Sequence, residues 1–454
     1  MTHTSTGKIW DRDAPLDERI ERFTVGRDRE LDLRLVAHDA LASAAHAIML
    51  QEIGVLSEEE RDGLVRELGA VAEEARAGRF VIRPDEEDGH TALERRLTEV
   101  LGDAGKRIHT GRSRNDQVIA SVRLWGRELV LEMEAEVLAR AAQLAELAEA
   151  HRETSMPGYT HLRQAMPTTL GHHLAAYAEG LLDALPWLDA AWRHINRSPL
   201  GSASSYGVAL PLDRPRVAEL LGFGGVQENS LAVQTDRGRT EWLVLGAALA
   251  PAQDLARLAW DLVLWSGESH GFVRLPESVT TGSSIMPQKR NPDVLELVRG
   301  SAARLRARHA EIGQVAGALP TGYHRDLQLT KEPFLEGMQL AVDAVAVMEP
   351  VLAGMEVDAD RCRDALDRAM GATDEVYRRV ARGEPFRDAY RAVAADPEGA
   401  VAGDPAEGWR DRTHLGAPGA LDLTAVRRRL EAARPRLEER RGSVRRAWEI
   451  LSRS

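Results

Sequence analysis

Between Asp116 and about His151 the chain has no proline and one glycine, Gly126. Apolar residues return there every three or four positions, at Val118, Val122, Trp125, Leu129, Met133, Val137 and Leu144. That spacing lays an apolar stripe along a helix, which at 1.5 Å per residue is roughly 50 Å long. The same signature returns over about 166–193, 231–268, 292–317 and 331–354. Five helices of this kind predict an all-α fold built on an elongated central bundle. Some are apolar on more than one face, which a lone bundle cannot bury, so bundles are expected to pack together in an oligomer. Upstream, residues 1–110 alternate shorter helical patterns with loops. One helix is expected from Asp32 through Met49, ending near Gly54. Another follows Ser57, where Ser57-Glu58-Glu59-Glu60 spells a capping box. Prolines and glycines near 384, 397, 403, 417 and 435 then return the chain to shorter helices. The expected domains are 1–110, 111–360 and 361–454, in keeping with about three for this length.

Composition changes the picture by exclusion. Hydrophobic residues make up 43% and aromatics only 5%, so the core is mostly Ala, Leu and Val, which suits close-packed helices better than sheets. A net charge of −12 argues against a nucleic-acid partner. The run Arg427-Arg428-Arg429 is followed by Glu431, Glu438 and Glu439 and reads as a solvated helix face. The lone Cys362 excludes an intrachain disulfide and a cysteine metal cluster, which fits a reducing cytoplasm. No apolar run approaches about 18 residues and the N-terminus is polar. The expectation is a cytoplasmic protein with no membrane partner.

The chain holds 59 Lys+Arg, yet only four are lysines: Lys8, Lys106, Lys289 and Lys331. A lysine is a compact point charge, whereas guanidinium is a wide planar fork. Lysines that survive such a bias are candidates for work that arginine cannot do. Asparagine is equally scarce, at Asn115, Asn196, Asn229 and Asn291. Lys289 and Asn291 fall in one loop, Thr280-Thr281-Gly282-Ser283-Ser284-Ile285-Met286-Pro287-Gln288-Lys289-Arg290-Asn291-Pro292. Its Gly/Pro content alone describes an ordinary helix connector. A second segment, His109-Thr110-Gly111-Arg112-Ser113-Arg114-Asn115-Asp116-Gln117, sets arginines, hydroxyls and an amide at the start of the first long helix. That is a natural carboxylate site, through guanidinium pairing and the helix dipole, or else a capped helix start with surface arginines.

The wording of these segments carries a resemblance. G-S-S-x-M-P-x-K-x-N-P resembles the signature loop of the fumarase/aspartase superfamily, whose members release fumarate from succinyl adducts. H-T-G-R-S-R-N-D-Q is similar to the argininosuccinate lyase branch, as are Gly158-Tyr159-Thr160-His161-Leu162 and the segment from Tyr323 through Gln328 to Lys331. Weaker matches lie at Glu86-Glu87-Asp88-Gly89-His90-Thr91, where Asp88 is a guanidinium partner, at Val233–Arg237, and at Glu384–Tyr390. The resemblance runs from Trp10 to about Tyr390. The chain departs from the family at Arg163, Gln164, Met166 and His324. It also departs at Asp28, which stands where the family has a substrate-contacting serine. The adjacent His172-His173 is no metal pair, since neighbouring helix residues point different ways.

The resemblance implies a homotetramer with active sites shared between subunits, and a β-elimination needing no metal or organic cofactor. Argininosuccinate would lose fumarate as a C–N bond breaks and a proton leaves the neighbouring carbon. By resemblance Ser283 takes that proton, Lys289 and Asn291 stabilise the developing negative charge, and His161 is the acid, oriented and charged by Glu296. Asp88, Ser113, Arg114, Asn115, Thr160, Arg237, Tyr323, Gln328 and Lys331 would hold substrate. Two alternatives share the scaffold: a lyase for another succinyl adduct, and an inactive structural protein of the crystallin kind. The H-T-G-R-S-R-N-D-Q segment argues against the first, and intact Ser283, His161, Lys289 and Glu296 against the second.

Overall fold

The computed structural model describes residues 17–452; Lys8 and Trp10, where the family resemblance begins, lie outside them. Two short helices, Glu18–Val25 and Asp28–Asp32, lead into α1 (Val36–Glu52) and α2 (Glu58–Arg76). Ser57 caps α2 with the expected box: its hydroxyl accepts from Glu60 N–H while the Glu60 carboxylate accepts from Ser57 N–H. Helix α3 (Gly89–Leu101) follows, capped by Asp88. The first long helix is α4 (Arg114–Ala150), 37 residues and so roughly 55 Å.

Next comes an element the periodicity does not predict, an antiparallel hairpin of β1 (Ser155–Thr160) and β2 (Arg163–Thr169). It takes the first residues of the stretch read as a helix over 166–193. The remainder is two helices, α5 (Leu170–Asp183) and α6 (Leu185–Ile195), broken where Pro186 enters the first turn of α6. Long helix α7 (Arg239–Ser266) is preceded by a separate short helix, Ser230–Thr235. Two-residue strands follow: β3 (Val273–Arg274), β4 (Thr281–Gly282) and β5 (Arg290–Asn291), with β4 paired to β5. Then come α8 (Asp293–Gly317), α9 (Lys331–Ala346), α10 (Met348–Gly354) and β6 (Glu356–Val357), which pairs with β3. Helix α11 (Thr424–Ser452) carries Pro435 inside it, so that proline does not end a helix as expected.

Helices α4, α5, α7, α8 and α9 pack side by side as a rod, and α11 lies back against α4 and α2. One continuous apolar core runs from Leu31 through the rod to Leu451; a second, small cluster joins Val376, Ala389 and Val393. Inside the rod Arg123 donates to Asp236 at 3.1 Å, both fully buried, tying α4 to the start of α7. By length and mean hydropathy the stretch Arg325–Gly354 is apolar enough to span a membrane. Its Phe334, Leu335, Met338, Ala341 and Val345 are nevertheless completely buried in the rod.

Candidate active site

One end of the rod collects most of the predicted substrate residues. Ser113 caps α4, its hydroxyl accepting from Asn115 N–H at 3.3 Å. Arg114 donates to Glu87 at 3.1 Å and to Thr91 Oγ1 at 2.9 Å, and lies 3.4 Å from Asp88. Asp88 accepts from the Thr91 N–H and hydroxyl at 2.8 and 2.6 Å. Its guanidinium partner is therefore the protein's own Arg114, and its main local work is to start α3. Burial pushes its carboxyl up, but His90, Arg114 and Thr91 together hold it below the usual range. Arg237, buried at the start of α7, lies over the Tyr323 ring, 5.5 Å from its centre. Gln328 sits on the short 3₁₀ helix Arg325–Thr330 that leads into α9. Lys331 is buried, and its ammonium donates to Asp28 at 2.9 Å and Asp32 at 2.6 Å. Burial works against that charge, but the two carboxylates outweigh it and raise the lysine's pKa. Lys331 is thus already neutralised within the chain, partly by the residue that stands where the family has serine.

Beneath this cluster His90 Nδ1 and Asp39 Oδ2 lie 2.6 Å apart, fully buried. Burial disfavours the imidazolium, but Asp39, Asp88 and Asp32 overcome it and lift the pKa from 6.5 to about 9. This pair therefore stabilises the fold fully below pH 6.5, and the contribution fades as pH rises through about 9. A shift of that size corresponds to about 3 kcal/mol. Urea unfolding at pH 6 and pH 9.5 should show a loss of that order, which a His90→Gln variant lacks. Equal slopes in both proteins would exclude His90 as the source.

The other end of the rod holds the remaining residues. Helix α4 runs from the first cluster to the β1–β2 hairpin. Helix α7 starts just after Arg237 and ends four residues before His270, whose ring meets Tyr159 of β1 at 5.7 Å. Helix α8 returns from the β4–β5 turn to Gly238, where a Cβ would meet Ala316 at 2.6 Å. Thr160 and His161 sit exposed at the hairpin tip. His161 and Leu162 both take positive φ, 54° and 57°, the two-residue turn that Asn-Gly usually fills. A leucine there costs roughly 1–2 kcal/mol, and Leu162 is 77% exposed, so no packing offsets it. Leu162→Gly should raise stability by about 0.5–1 kcal/mol after glycine's extra unfolded-state entropy. A lowered denaturation midpoint would contradict this.

Seven residues, 283–289, cross between β4 and β5, mostly exposed. Ser283 is the exception in one respect: its hydroxyl oxygen accepts from Met286 N–H at 3.2 Å and Ile285 N–H at 3.4 Å. Two aligned backbone dipoles favour negative charge on that oxygen. Asn291 Nδ2 donates to Gly282 O at 3.4 Å, and Thr281 Oγ1 donates to Asp293, fixing the base of the turn. Lys289 extends into solvent. Glu296, one turn into α8, is exposed and lies 3.6 Å from Arg299.

Within one chain the fold therefore brings together Asp88, Ser113, Arg114, Asn115, Arg237, Tyr323, Gln328 and Lys331. It leaves Thr160, His161, Ser283, Lys289, Asn291 and Glu296 at the far end, the length of α4 away. Among the described residues His161 makes no hydrogen bond, and the expected pair with Glu296 does not form within the chain. His172 and His173 reach different partners, Gly416 O and Asp261. Sequence reasoning missed Glu87, which holds both Arg114 and Arg325; three consecutive carboxylates at 86–88 beside an arginine-rich motif were the available signal.

Residues 11–306 match a family described as lyase. The argininosuccinate lyase of Sorangium cellulosum is 46% identical over 424 residues, covering 93% of this chain and 98% of that one. That of Bacteroides thetaiotaomicron is 42% identical over 391 residues, covering 86% and 88%. Among solved structures, an EDDS lyase in complex with formate superposes with TM-score 0.80 at 25% identity, over 97% of this chain and 95% of its own. A class II fumarase from Schistosoma mansoni shares the fold, with TM-score 0.69 at 16% identity over 87% and 96%.

Proposed function

The chain belongs to the argininosuccinate lyase family, and from that premise we propose how it cleaves argininosuccinate to arginine and fumarate. The proton to be removed sits beside a carboxylate and is very weakly acidic. Ser283 removes it, and the observation that carries this assignment is the pair of N–H groups, from Ile285 and Met286, on its hydroxyl oxygen. Those dipoles stabilise the alkoxide that a basic serine requires. As the C–H bond breaks, charge moves onto the adjoining carboxylate, where Lys289 and Asn291 meet it. The electron pair then forms the double bond of fumarate and expels the guanidino nitrogen. His161 protonates that nitrogen, directly or through water, with Glu296 supporting its charged form. Asn115, Arg114 and their neighbours bind the carboxylates.

These groups lie at opposite ends of a rod roughly 55 Å long, so one chain does not assemble a site alone. Each site is formed by three chains of a homotetramer, with the far end of one rod beside the near end of another. The apolar residues left exposed along the rod, Trp187, Trp260 and Leu297 among them, supply surface for that packing. The enzyme works in the cytoplasm, where its single buried cysteine stays reduced.

Purified protein given argininosuccinate should release fumarate, followed by ultraviolet absorbance. Adenylosuccinate and aspartate run in parallel identify a different succinyl adduct; inactivity on all three would favour a structural role.

A further inference from the structure

Gly201, Ala203, Ser205 and Gly207 all have positive φ, at 79°, 52°, 83° and 73°, and the three residues between them do not. Left-handed residues set between residues of negative φ turn successive N–H groups toward one side, the way backbone concavities that hold anions are built. Half of this one already holds a carboxylate. The N–H groups of Gly201 and Ala203 donate to Asp116 Oδ2 at 3.1 and 2.9 Å, and Ser113 N–H donates to its Oδ1 at 3.0 Å. Asp116 is completely buried, and buried Gln234 holds the loop from the other side, donating to Ala203 O at 3.1 Å.

The N–H groups of Ser204, Ser205 and Tyr206 have no acceptor among the described residues. This open half adjoins the candidate substrate residues. Asn115 Nδ2 donates to Ser204 Oγ at 3.4 Å, and Leu210 and Leu212 from the same loop lie over Gly111. Ser204 and Tyr206 are exposed. Nothing in the sequence motifs singles this loop out; it is recognised only through its backbone and its anchor on Asp116.

We infer that the backbone of Ser204–Tyr206, with the Ser204 hydroxyl, is a carboxylate-binding part of the substrate site, and that Asp116 is the positioning residue that holds it there. The inference rests on the proposed lyase function for the identity of the carboxylate, not for the existence of the subsite. A substrate carboxylate completes the concavity that Asp116 half fills, beside Asn115, which is hydrogen-bonded to Ser204.

The test replaces Tyr206 by its α-hydroxy acid in the full-length enzyme, which exchanges one N–H for an ester oxygen and leaves the side chain intact. Loss of one charge-assisted hydrogen bond should raise KM for argininosuccinate about tenfold, with kcat little changed. A matching rise in the inhibition constant of fumarate places the four-carbon arm in the loop; a rise for arginine alone places the amino-acid carboxylate there. An unchanged KM and unchanged inhibition by both products would overturn the subsite. Asp116→Asn turns an amide NH2 toward backbone donors. It should raise KM in the same way, whereas lost stability with KM unmoved would make Asp116 merely structural. If the unmodified protein released no fumarate, the functional reading would fail on its own. Fumarate binding by calorimetry, compared between native and ester proteins, would then still decide the subsite.

Discussion

Replacing Ser283 by alanine should lower fumarate release about 10²–10⁴-fold, the range that a positioned base contributes. KM should stay close to that of the unaltered enzyme, because the hydroxyl is proposed to take a proton and not to grip substrate. The expected size follows from local geometry. Ser283 Oγ receives the N–H groups of Ile285 and Met286, so its alkoxide is stabilised before substrate arrives. Alanine removes the base and leaves those donors facing solvent in an exposed turn, where their loss is cheap. The variant should therefore fold and assemble normally. Retention of more than about a tenth of the activity, given that a positioned base supplies at least 10²-fold, would remove Ser283 from the chemistry and return attention to His161.

Mixing two inactive variants should restore activity. Asn115 and Ser283 lie at opposite ends of the rod, so in the proposed tetramer a complete site takes them from different chains. Co-expression of Ser283→Ala with Asn115→Ala randomises the tetramer, and about a quarter of sites then receive both native residues. Activity should rise from near zero toward that fraction. Affinity capture through a tag carried by only one of the two variants would show whether mixed tetramers had formed. Mixed tetramers without recovered activity would mean that each chain builds its own site, and the division of the site along the rod would be wrong. The same experiment with two variants at one end, such as Ser283→Ala and Lys289→Ala, should also recover activity only if those residues come from different chains. Because they share one turn, no recovery is expected, and this pair is the control.

The sequence by itself determined the long helices α4, α7 and α8, the N-terminal capping box and the motifs of the family, but not the breaks that divide 166–193 and 331–354 into shorter pieces. Each depends on local spacing: a 3.6-residue period survives whatever surrounds it, and a motif is read residue by residue. Helices α4 and α8 begin within two residues of where periodicity places them. Elsewhere the local signal is ambiguous or overruled by packing. The helical period extends back over 166–169, which strand pairing with β1 claims instead, and the His-Leu turn gives no local hairpin signal because its conformation is normally filled by glycine or asparagine. Pro435 marks a boundary by local rules, yet packing of α11 on α4 and α2 carries the helix through it.

Only the tertiary structure decided how the candidate residues are distributed. The sequence order interleaves them, and nothing local says that residue 113 neighbours residue 88 while residue 283 lies at the far end of the rod. The same holds for Lys331. Its type and position suggested a free charge for substrate, but Asp28 and Asp32, about 300 residues away in sequence, already neutralise it. Charges act through space and helices span distance, so a site made where helix ends meet is settled by packing and not by the order of the residues.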